Sequence, residues 1–181
     1  MAHDRQPALR LKSRASGLGS VLLGTAGFLA GLALASVVRT RQAEQRNPPA
    51  GRFVTIDGVR AHYRDIGSGP PVLIFHGNGA TTEEMTASGL VEELAGKHRV
   101  IIPDRPGFGY TERPRFRRWT PEAQADLFLH FLDRLGIERA LVIGHSLGTQ
   151  VGLSLAVLAP DRVRGLGLMS GYYFPAARPH G

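Results

Sequence analysis

The most informative stretch of this 181-residue chain is Leu141-Val142-Ile143-Gly144-His145-Ser146-Leu147-Gly148. Its first three residues predict a strand buried on both faces, and the apolar run from Gly148 to Leu158 predicts a helix directly after it. The five residues from Gly144 to Gly148 fit the pattern G-x-S-x-G. On such a sharp turn the backbone is crowded, which explains a small residue two positions before and two after Ser146. The turn would expose the Ser146 hydroxyl at the carboxyl edge of a sheet, beside a helix N-terminus that favours negative charge.

A second glycine-rich turn, His76-Gly77-Asn78-Gly79, follows the apolar run Val72-Leu73-Ile74-Phe75. By itself it is an ordinary tight turn between a strand and a helix. Together with the serine turn about seventy residues downstream, it favours a functional interpretation. The backbone N–H groups of Asn78 and Leu147 are then the candidate donors of an oxyanion hole beside Ser146.

The rest of the chain from residue 53 alternates between strand and helix patterns. A hairpin is predicted around Asp57-Gly58, strands at 100–102 and 164–169, one helix from Thr81 to about Gly96, and another that begins at Thr120-Pro121. The order is a hairpin followed by β-α-β-α-β-α-β. It predicts an α/β fold in three layers around a mainly parallel sheet.

The two turns and the loop Asp104-Arg105-Pro106-Gly107-Phe108-Gly109 resemble, in order and spacing, motifs of the α/β-hydrolase superfamily. The resemblance covers about residues 53–175 and is to the serine-nucleophile, esterase- and lipase-like branch. It implies that Ser146 is a nucleophile that forms an acyl-enzyme with a small-molecule acyl substrate, and that neither a metal nor a cofactor is needed. Epoxide hydrolases and haloalkane dehalogenases of the superfamily carry an aspartate at the serine position, so Ser146 argues against both.

The sequence departs from the family after Ser146. The family order is nucleophile, acid, histidine, but only Asp161 and His180 follow here. Asp161 is predicted at the opposite edge of the sheet, and His180 stands in a short tail. Five other histidines lie where a base is not expected, at positions 3, 62, 98, 130 and 145. We therefore expect a truncated hydrolase domain that lacks the last strands and the acid and histidine of the triad, and is inactive alone. The alternative is a non-catalytic, membrane-tethered binding or interaction module.

Residues 17–38 form a run of 22 residues without an ionisable side chain, long enough to cross a bilayer as a helix. Basic residues flank the run, four before it and three after it, so their numbers do not determine an orientation. A single-pass membrane anchor is predicted. A cleaved secretory signal, with Ala33-Leu34-Ala35 as the processing site and a secreted or periplasmic product, is one alternative, and a buried soluble helix is another.

The predicted organisation is a basic arm at 1–16, a transmembrane or signal-anchor helix at 17–38, a linker at 39–52 and a partial hydrolase domain at 53–181. The spacing Gly27-x-x-x-Gly31 would allow close contact between two anchor helices, and hence a dimer. A helix that is merely rich in small residues has the same spacing.

Charge and composition exclude several functions. The net charge of +7 divides into +6 for residues 1–52 and +1 for residues 53–181, which argues against nucleic-acid binding by the folded part. The absence of cysteine excludes a disulfide framework, a thiolate metal site and a cysteine nucleophile. A cluster of four arginines between positions 113 and 118, with Phe116 and Trp119, is interpreted as a solvated loop, with an anionic-ligand site as the alternative.

Overall fold

The structure, a computed structural model, describes residues 15–115, 117–171 and 173. The chain divides into an N-terminal unit, Met1–Pro48, and a C-terminal unit, Pro49–Gly181. Most of the predicted basic arm lies outside the described residues, and so do His3, Phe116 and His180.

The N-terminal unit contains one long helix, α1, at Ala15–Arg46. Its segment Leu23–Ala43 is long and apolar enough to cross a membrane, by length and composition. The helix continues through residues 39–46, which were predicted to be a linker. Arginine, glutamine, alanine and glutamate favour helix there, and Pro48-Pro49 ends it because the residue before a proline disfavours helical backbone.

The C-terminal unit is built on one six-stranded sheet in the order β1-β2-β4-β3-β5-β6. The strands are β1 at Arg52–Ile56, β2 at Val59–Ile66, β3 at Pro71–Phe75, β4 at Arg99–Pro103, β5 at Ala140–His145 and β6 at Val163–Met169. Strands β1 and β2, and β2 and β4, pair antiparallel, whereas the other three pairs are parallel. The sheet is therefore mixed. Its β1–β2 hairpin turns at Asp57-Gly58, both with positive φ, as the sequence predicted.

Four helices accompany the sheet: α2 at Thr82–Ala87, α3 at Leu90–Ala95, α4 at Pro121–Arg134 and α5 at Leu147–Leu158. The single helix predicted from Thr81 to Gly96 is wrong. Gly89 adopts φ 78°, a left-handed conformation that an α-helix cannot contain, and it divides the segment into α2 and α3. The predicted start at Thr81 is confirmed, since its N–H donates to the Glu84 carboxylate at 3.2 Å.

Apolar side chains cover both faces of the sheet. On one face, α4 contributes Leu127, Phe128, Phe131 and Leu132, all fully buried. On the other face, Met85 and Val91 of the two short helices pack against a second apolar cluster. The central strand β3 faces both clusters, with Leu73 and Phe75 on one side and Val72 and Ile74 on the other. This alternation confirms the three-layer α/β arrangement for the described residues.

The helix α1 generates a prediction about the membrane. Two arginines at the centre of the apolar segment, Leu29→Arg with Leu32→Arg, should release the chain from membranes washed with alkaline carbonate, because each charge at mid-bilayer costs about 2.5–3.5 kcal/mol on insertion scales. The matched variant Gln42→Arg with Ala43→Arg places the same charges at the end of the segment and should stay membrane-bound. Release of the unmodified chain would contradict an anchor, and a product that starts near Ser36 would indicate a cleaved signal.

Candidate active site

Ser146 stands between β5 and α5 in a strained conformation. Its backbone has φ 51° and ψ −121°, and a positive φ is uncommon for a residue with a Cβ atom. Two hydrogen bonds hold Ser146 in this conformation. The Ser146 N–H donates to the Met169 carbonyl at 2.9 Å, and the Thr149 hydroxyl donates to the Ser146 carbonyl at 2.6 Å. The turn thus projects the serine at the carboxyl end of β5, as the sequence predicted.

The two glycines of the turn are required by the close approach of backbone segments. A Cβ atom on Gly144 would lie 2.5 Å from the Gly148 carbonyl oxygen. A Cβ atom on Gly148 would overlap the carbonyl oxygen of Phe75 and lie 2.8 Å from that of His76. Any side chain at either position would push β5, α5 and the end of β3 apart. The crowding argument made from the sequence is therefore confirmed.

The loop at residues 76–79 lies against the serine. Because β3 pairs parallel with β5, with Phe75 opposite Gly144, both strands end at the same edge of the sheet. A Cβ atom on Gly77 would lie only 2.9 Å from the Ser146 Cβ atom and 3.2 Å from the His145 Nδ1 atom. The structure therefore brings the two glycine-rich turns together. The oxyanion-hole role of the Asn78 and Leu147 N–H groups stays a prediction.

His76 anchors this loop and is held neutral. Its Nδ1 atom lies 2.8 Å from the Gly77 carbonyl oxygen, and its Nε2 atom accepts the Arg105 N–H at 2.9 Å. Burial is the main reason that the pKa of His76 falls from 6.5 to about 4. Both ring nitrogens are occupied, so His76 positions the loop and is not available as a base.

Arg105 also holds the loop at residues 76–79, through its guanidinium group. The residue is fully buried, and its Nη2 group donates to the Gly77 carbonyl and to the Asn78 side-chain oxygen, each at 3.0 Å. Its Nη1 group donates to the Gln124 side-chain oxygen at 3.2 Å, and its guanidinium lies 4.7 Å from the centre of the Phe108 ring. A buried cation needs such acceptors. Arg105 thereby fixes the peptide that precedes the candidate oxyanion donor Asn78.

A buried carboxylate next to Arg105 ties three segments together, and the sequence interpretation did not identify it. Asp104 accepts hydrogen bonds from the Thr82 N–H at 3.0 Å and the Tyr110 N–H at 3.1 Å, and its Oδ2 atom lies 2.7 Å from the His62 Nδ1 atom. A Cβ atom on Gly109 would overlap the Asp104 carboxylate. Gly109 of the 104–109 motif was thus a usable signal that this carboxylate is enclosed.

Three other titratable residues, His98, His130 and Asp161, lie away from the serine. The rings of His98 and His130 contact the Leu94 carbonyl and the Asp57 carboxylate, respectively. Asp161 precedes β6, whose first residue pairs with Ala140 and whose last pairs with His145, so Asp161 lies at the edge opposite Ser146, as predicted. Within the described part of the chain, no hydrogen bond joins the Ser146 hydroxyl to a histidine or a carboxylate. The candidate nucleophile Ser146 therefore has no hydrogen-bonded base among these residues.

A cavity of about 580 Å³ in the C-terminal unit is not the substrate site. Its lining includes Asp133, Gly136, Arg139 and Arg162, which precede β5 and β6 at the amino edge of the sheet. Ser146 lies at the other edge.

Comparison with known proteins agrees with this geometry. The model of the alpha/beta hydrolase fold matches residues 70–180. A 2-hydroxymuconate semialdehyde hydrolase of Pseudomonas sp. (strain CF600) is 40% identical over 136 residues, which are 74% of this chain and 48% of the relative. Haloalkane dehalogenase 2 of Mycobacterium tuberculosis (strain ATCC 25618 / H37Rv) is 36% identical over 132 residues, 73% of this chain and 46% of the relative. The chain thus spans about half the length of the curated relatives it matches.

One solved structure matches beyond the C-terminal unit. A membrane phospholipase A, described as a bacterial virulence factor, aligns with a TM-score of 0.66 and 25% identity. The match covers 91% of this chain and 54% of the phospholipase chain. The aligned part of this chain is longer than the C-terminal unit, residues 49–181. The alignment therefore includes part of the N-terminal unit as well.

The strain at Ser146 should be measurable as stability. Ser146→Gly should raise the free energy of unfolding by about 1 kcal/mol, because it removes a strain of ~1–3 kcal/mol at the cost of ~0.5–1 kcal/mol of backbone entropy. Ser146→Ala keeps the Cβ atom and should change it by less than about 0.5 kcal/mol. The control Ser154→Gly, inside α5, should destabilise, because glycine disfavours a helix interior. Denaturant unfolding in detergent measures all three, and equal stability of Ser146→Gly and Ser146→Ala would exclude stored strain.

The lowered pKa of His76 predicts an acid-sensitive fold. Between pH 6.5 and about 4 the unfolded chain binds a proton at this imidazole and the folded chain does not, so stability is lost as the pH falls through this window. The contribution amounts to roughly 3 kcal/mol from that pKa difference. His76→Gln should flatten the fall in unfolding free energy between pH 7 and pH 4. His130→Gln is the control with the opposite sign, because Asp57 raises the pKa of the exposed His130 and stabilises the fold at low pH. An unchanged pH slope in His76→Gln would contradict the assignment.

Proposed function

The chain belongs to the α/β-hydrolase fold family, and on that premise we propose that its C-terminal unit is the nucleophile-bearing part of a serine hydrolase acting on an ester or related acyl bond. The observation that carries the proposal is Ser146 in a strained turn with Gly77 packed against it. A positive φ at a residue with a Cβ atom costs conformational energy, and such strained residues cluster at functional sites, so the combination of strain and the packed Gly77 loop supports a functional role for Ser146.

Each part of the site has a role in such a reaction. The Ser146 Oγ atom attacks the acyl carbon and gives its proton to a histidine, while the N–H groups of Asn78 and Leu147 stabilise the oxyanion. The bond to the leaving group breaks, and the histidine returns the proton to that group. Water then hydrolyses the acyl-serine and regenerates the hydroxyl. Arg105 and His76 keep the Asn78 loop in place, so the donors need no reorganisation in the transition state.

The acid and the histidine of the triad are expected outside the described residues. Two observations support this expectation: the Ser146 hydroxyl has no histidine partner in the described part of the chain, and the chain spans about half the length of its relatives. A serine hydroxyl without a base is a weak nucleophile at neutral pH. The 181-residue chain by itself should therefore turn over slowly.

The substrate class that fits best is a lipid ester. The segment Leu23–Ala43 of α1 has the length and composition of a membrane anchor, and the similar solved structure is named a membrane phospholipase A. An anchored hydrolase meets esters at the bilayer surface without diffusing to them. The small-molecule acyl substrate and the membrane are thus the two partners of this proposal.

A second candidate reaction is hydrolysis of a small carbonyl compound. The specific observation is the 40% identity to a 2-hydroxymuconate semialdehyde hydrolase. Turnover of 2-hydroxymuconate semialdehyde without turnover of esters would favour this candidate.

Imidazole rescue tests the nucleophile. The full chain in detergent should hydrolyse a short p-nitrophenyl ester slowly, and added imidazole should raise the Ser146-dependent part by ~10-fold, a fraction of the ~10²–10⁴ that a positioned base contributes. The rate of Ser146→Ala under the same conditions gives the background from imidazole itself. Ser154→Ala, in α5 but away from the turn, is the matched control and should be rescued like the unmodified chain.

Two results would change the conclusion. Equal rates of the unmodified chain and Ser146→Ala at every imidazole concentration would support the alternative of a non-catalytic, membrane-tethered binding module. Fast Ser146-dependent turnover without imidazole would contradict the missing base. The base would then be sought among His62, His98, His130, His145 and His180, or in a second copy of the chain.

A further inference from the structure

Positive charge on the C-terminal unit is concentrated in the segment between β4 and α4. Residues 112–115 and 117–119, here called the arginine loop, hold Arg113, Arg115, Arg117 and Arg118 against one acid, Glu112. The loop therefore carries a net charge of +3, whereas the whole of residues 53–181 carries only +1. The rest of residues 53–181 therefore carries a net charge of −2.

Neighbouring carboxylates neutralise only one of these arginines. Arg117 pairs with Asp126 at 3.1 Å. Arg113, Arg115 and Arg118 are exposed, and within residues 15–115 and 117–171 none of the three has an ion pair. Glu112 accepts the backbone N–H of Arg60, and Glu122 is in the first turn of α4. Three guanidinium groups thus remain for an external anion.

The loop is fixed at both ends. The Glu112 N–H donates to the Arg60 carbonyl at 3.1 Å, and at the other end the Trp119 indole N–H donates to the Pro114 carbonyl at 3.2 Å. The Gln124 side chain donates to the Trp119 carbonyl at 2.9 Å, and the Arg117 guanidinium lies 4.7 Å from the centre of the Trp119 ring. Binding would therefore order three side chains without ordering a loop.

The position of the loop links it to the candidate active site. It follows β4 at the carboxyl edge of the sheet, the edge at which β5 ends in Ser146. The side chain of Arg113 lies against Gly107, in the connection that also carries the buried Asp104 and Arg105. A surface bound by the arginine loop would face the edge of the sheet where the substrate must arrive.

We propose that the arginine loop docks on the anionic headgroups of the bilayer that holds α1. Guanidinium groups bind phosphate oxygens through paired hydrogen bonds, and a half-buried tryptophan beside them suits the interface between headgroups and acyl chains. Clustered basic residues of a protein held at a membrane are attracted by anionic lipid over about a Debye length. This inference rests on the proposed insertion of α1 and extends it: the membrane also orients the site.

Trp119 provides the test, because it is the only tryptophan in the 181 residues. The full chain is reconstituted into nanodiscs whose scaffold protein contains no tryptophan. The lipid is phosphatidylcholine, or an equal mixture of phosphatidylcholine and phosphatidylglycerol, brominated near the headgroup. Trp119 fluorescence should be quenched in the anionic discs and much less in the zwitterionic ones. Molar salt should remove the difference, because it shortens the Debye length to ~3 Å.

Two matched variants separate this loop from net charge. Arg113→Gln with Arg115→Gln and Arg118→Gln should lose the quenching in anionic discs. The control is a triple variant that removes the same charge from exposed positions at the amino edge of the sheet, Lys97→Gln with Arg139→Gln and Arg164→Gln. This variant should keep the quenching in anionic discs. Circular dichroism checks that both variants are folded.

The outcomes distinguish this proposal from that of the anchor. Carbonate-resistant retention in the discs reports on α1 alone, whereas Trp119 quenching reports on the loop. If α1 is not retained, flotation with preformed anionic vesicles at low salt tests the loop by itself. Equal quenching in both disc types, equal loss in both triple variants, or no quenching in anionic discs would overturn the docking. The last result would leave an acidic protein surface as the partner to seek.

Discussion

Asp104 and Arg105 directly follow β4, both are fully buried, and the geometry around Ser146 depends on them. The Asp104 carboxylate accepts hydrogen bonds from backbone N–H groups of α2 and of the 105–110 connection. The Arg105 guanidinium donates hydrogen bonds to the 76–79 loop and to α4. Each charge is surrounded by hydrogen-bonding partners, which makes its burial tolerable. Without this pair the loop at residues 76–79 would lose the guanidinium contacts to Gly77 and Asn78.

The sequence was most informative where the constraint is local. Ser146 was identified because its two flanking glycines indicate a crowded turn. The structure shows that the clash at Gly148 is with the distant Phe75 and His76 carbonyls, whereas the clash at Gly144 is local, with the Gly148 carbonyl four residues later. The start of α4 was equally readable, since Thr120 accepts the Ala123 N–H and Pro121 follows it. Such features need no knowledge of the tertiary fold.

The features that were missed depend on residues far apart in sequence. His62 and Asp104 are 42 positions apart and meet only because β2 and β4 pair antiparallel, which a pattern along the chain does not encode. The division between α2 and α3 was missed for a different reason. Gly89 sits inside a run with helical spacing, and only its positive φ distinguishes an interruption from a tolerated helical glycine. Likewise, residues 39–46 were predicted to be a linker because the charge-free run ends at Val38 and two prolines follow at 48 and 49, whereas the helix formers between them continue α1 to Arg46.

The strand order also determines when each strand can find its partner during synthesis of the chain. The central strand β3 pairs on one side with β4, but its other neighbour β5 lies about 70 residues later, with Val72 opposite Leu141. At ribosomal speeds of ~5–20 residues per second, roughly 4–14 seconds pass before β5 has been made. During that interval one edge of β3, made of residues that end fully buried, has no partner strand. An unpaired strand edge is prone to pair with other chains, so the nascent chain would be exposed to aggregation in that interval, and α1, which precedes β3 in the chain, would be made before the strand that completes the centre of the sheet exists.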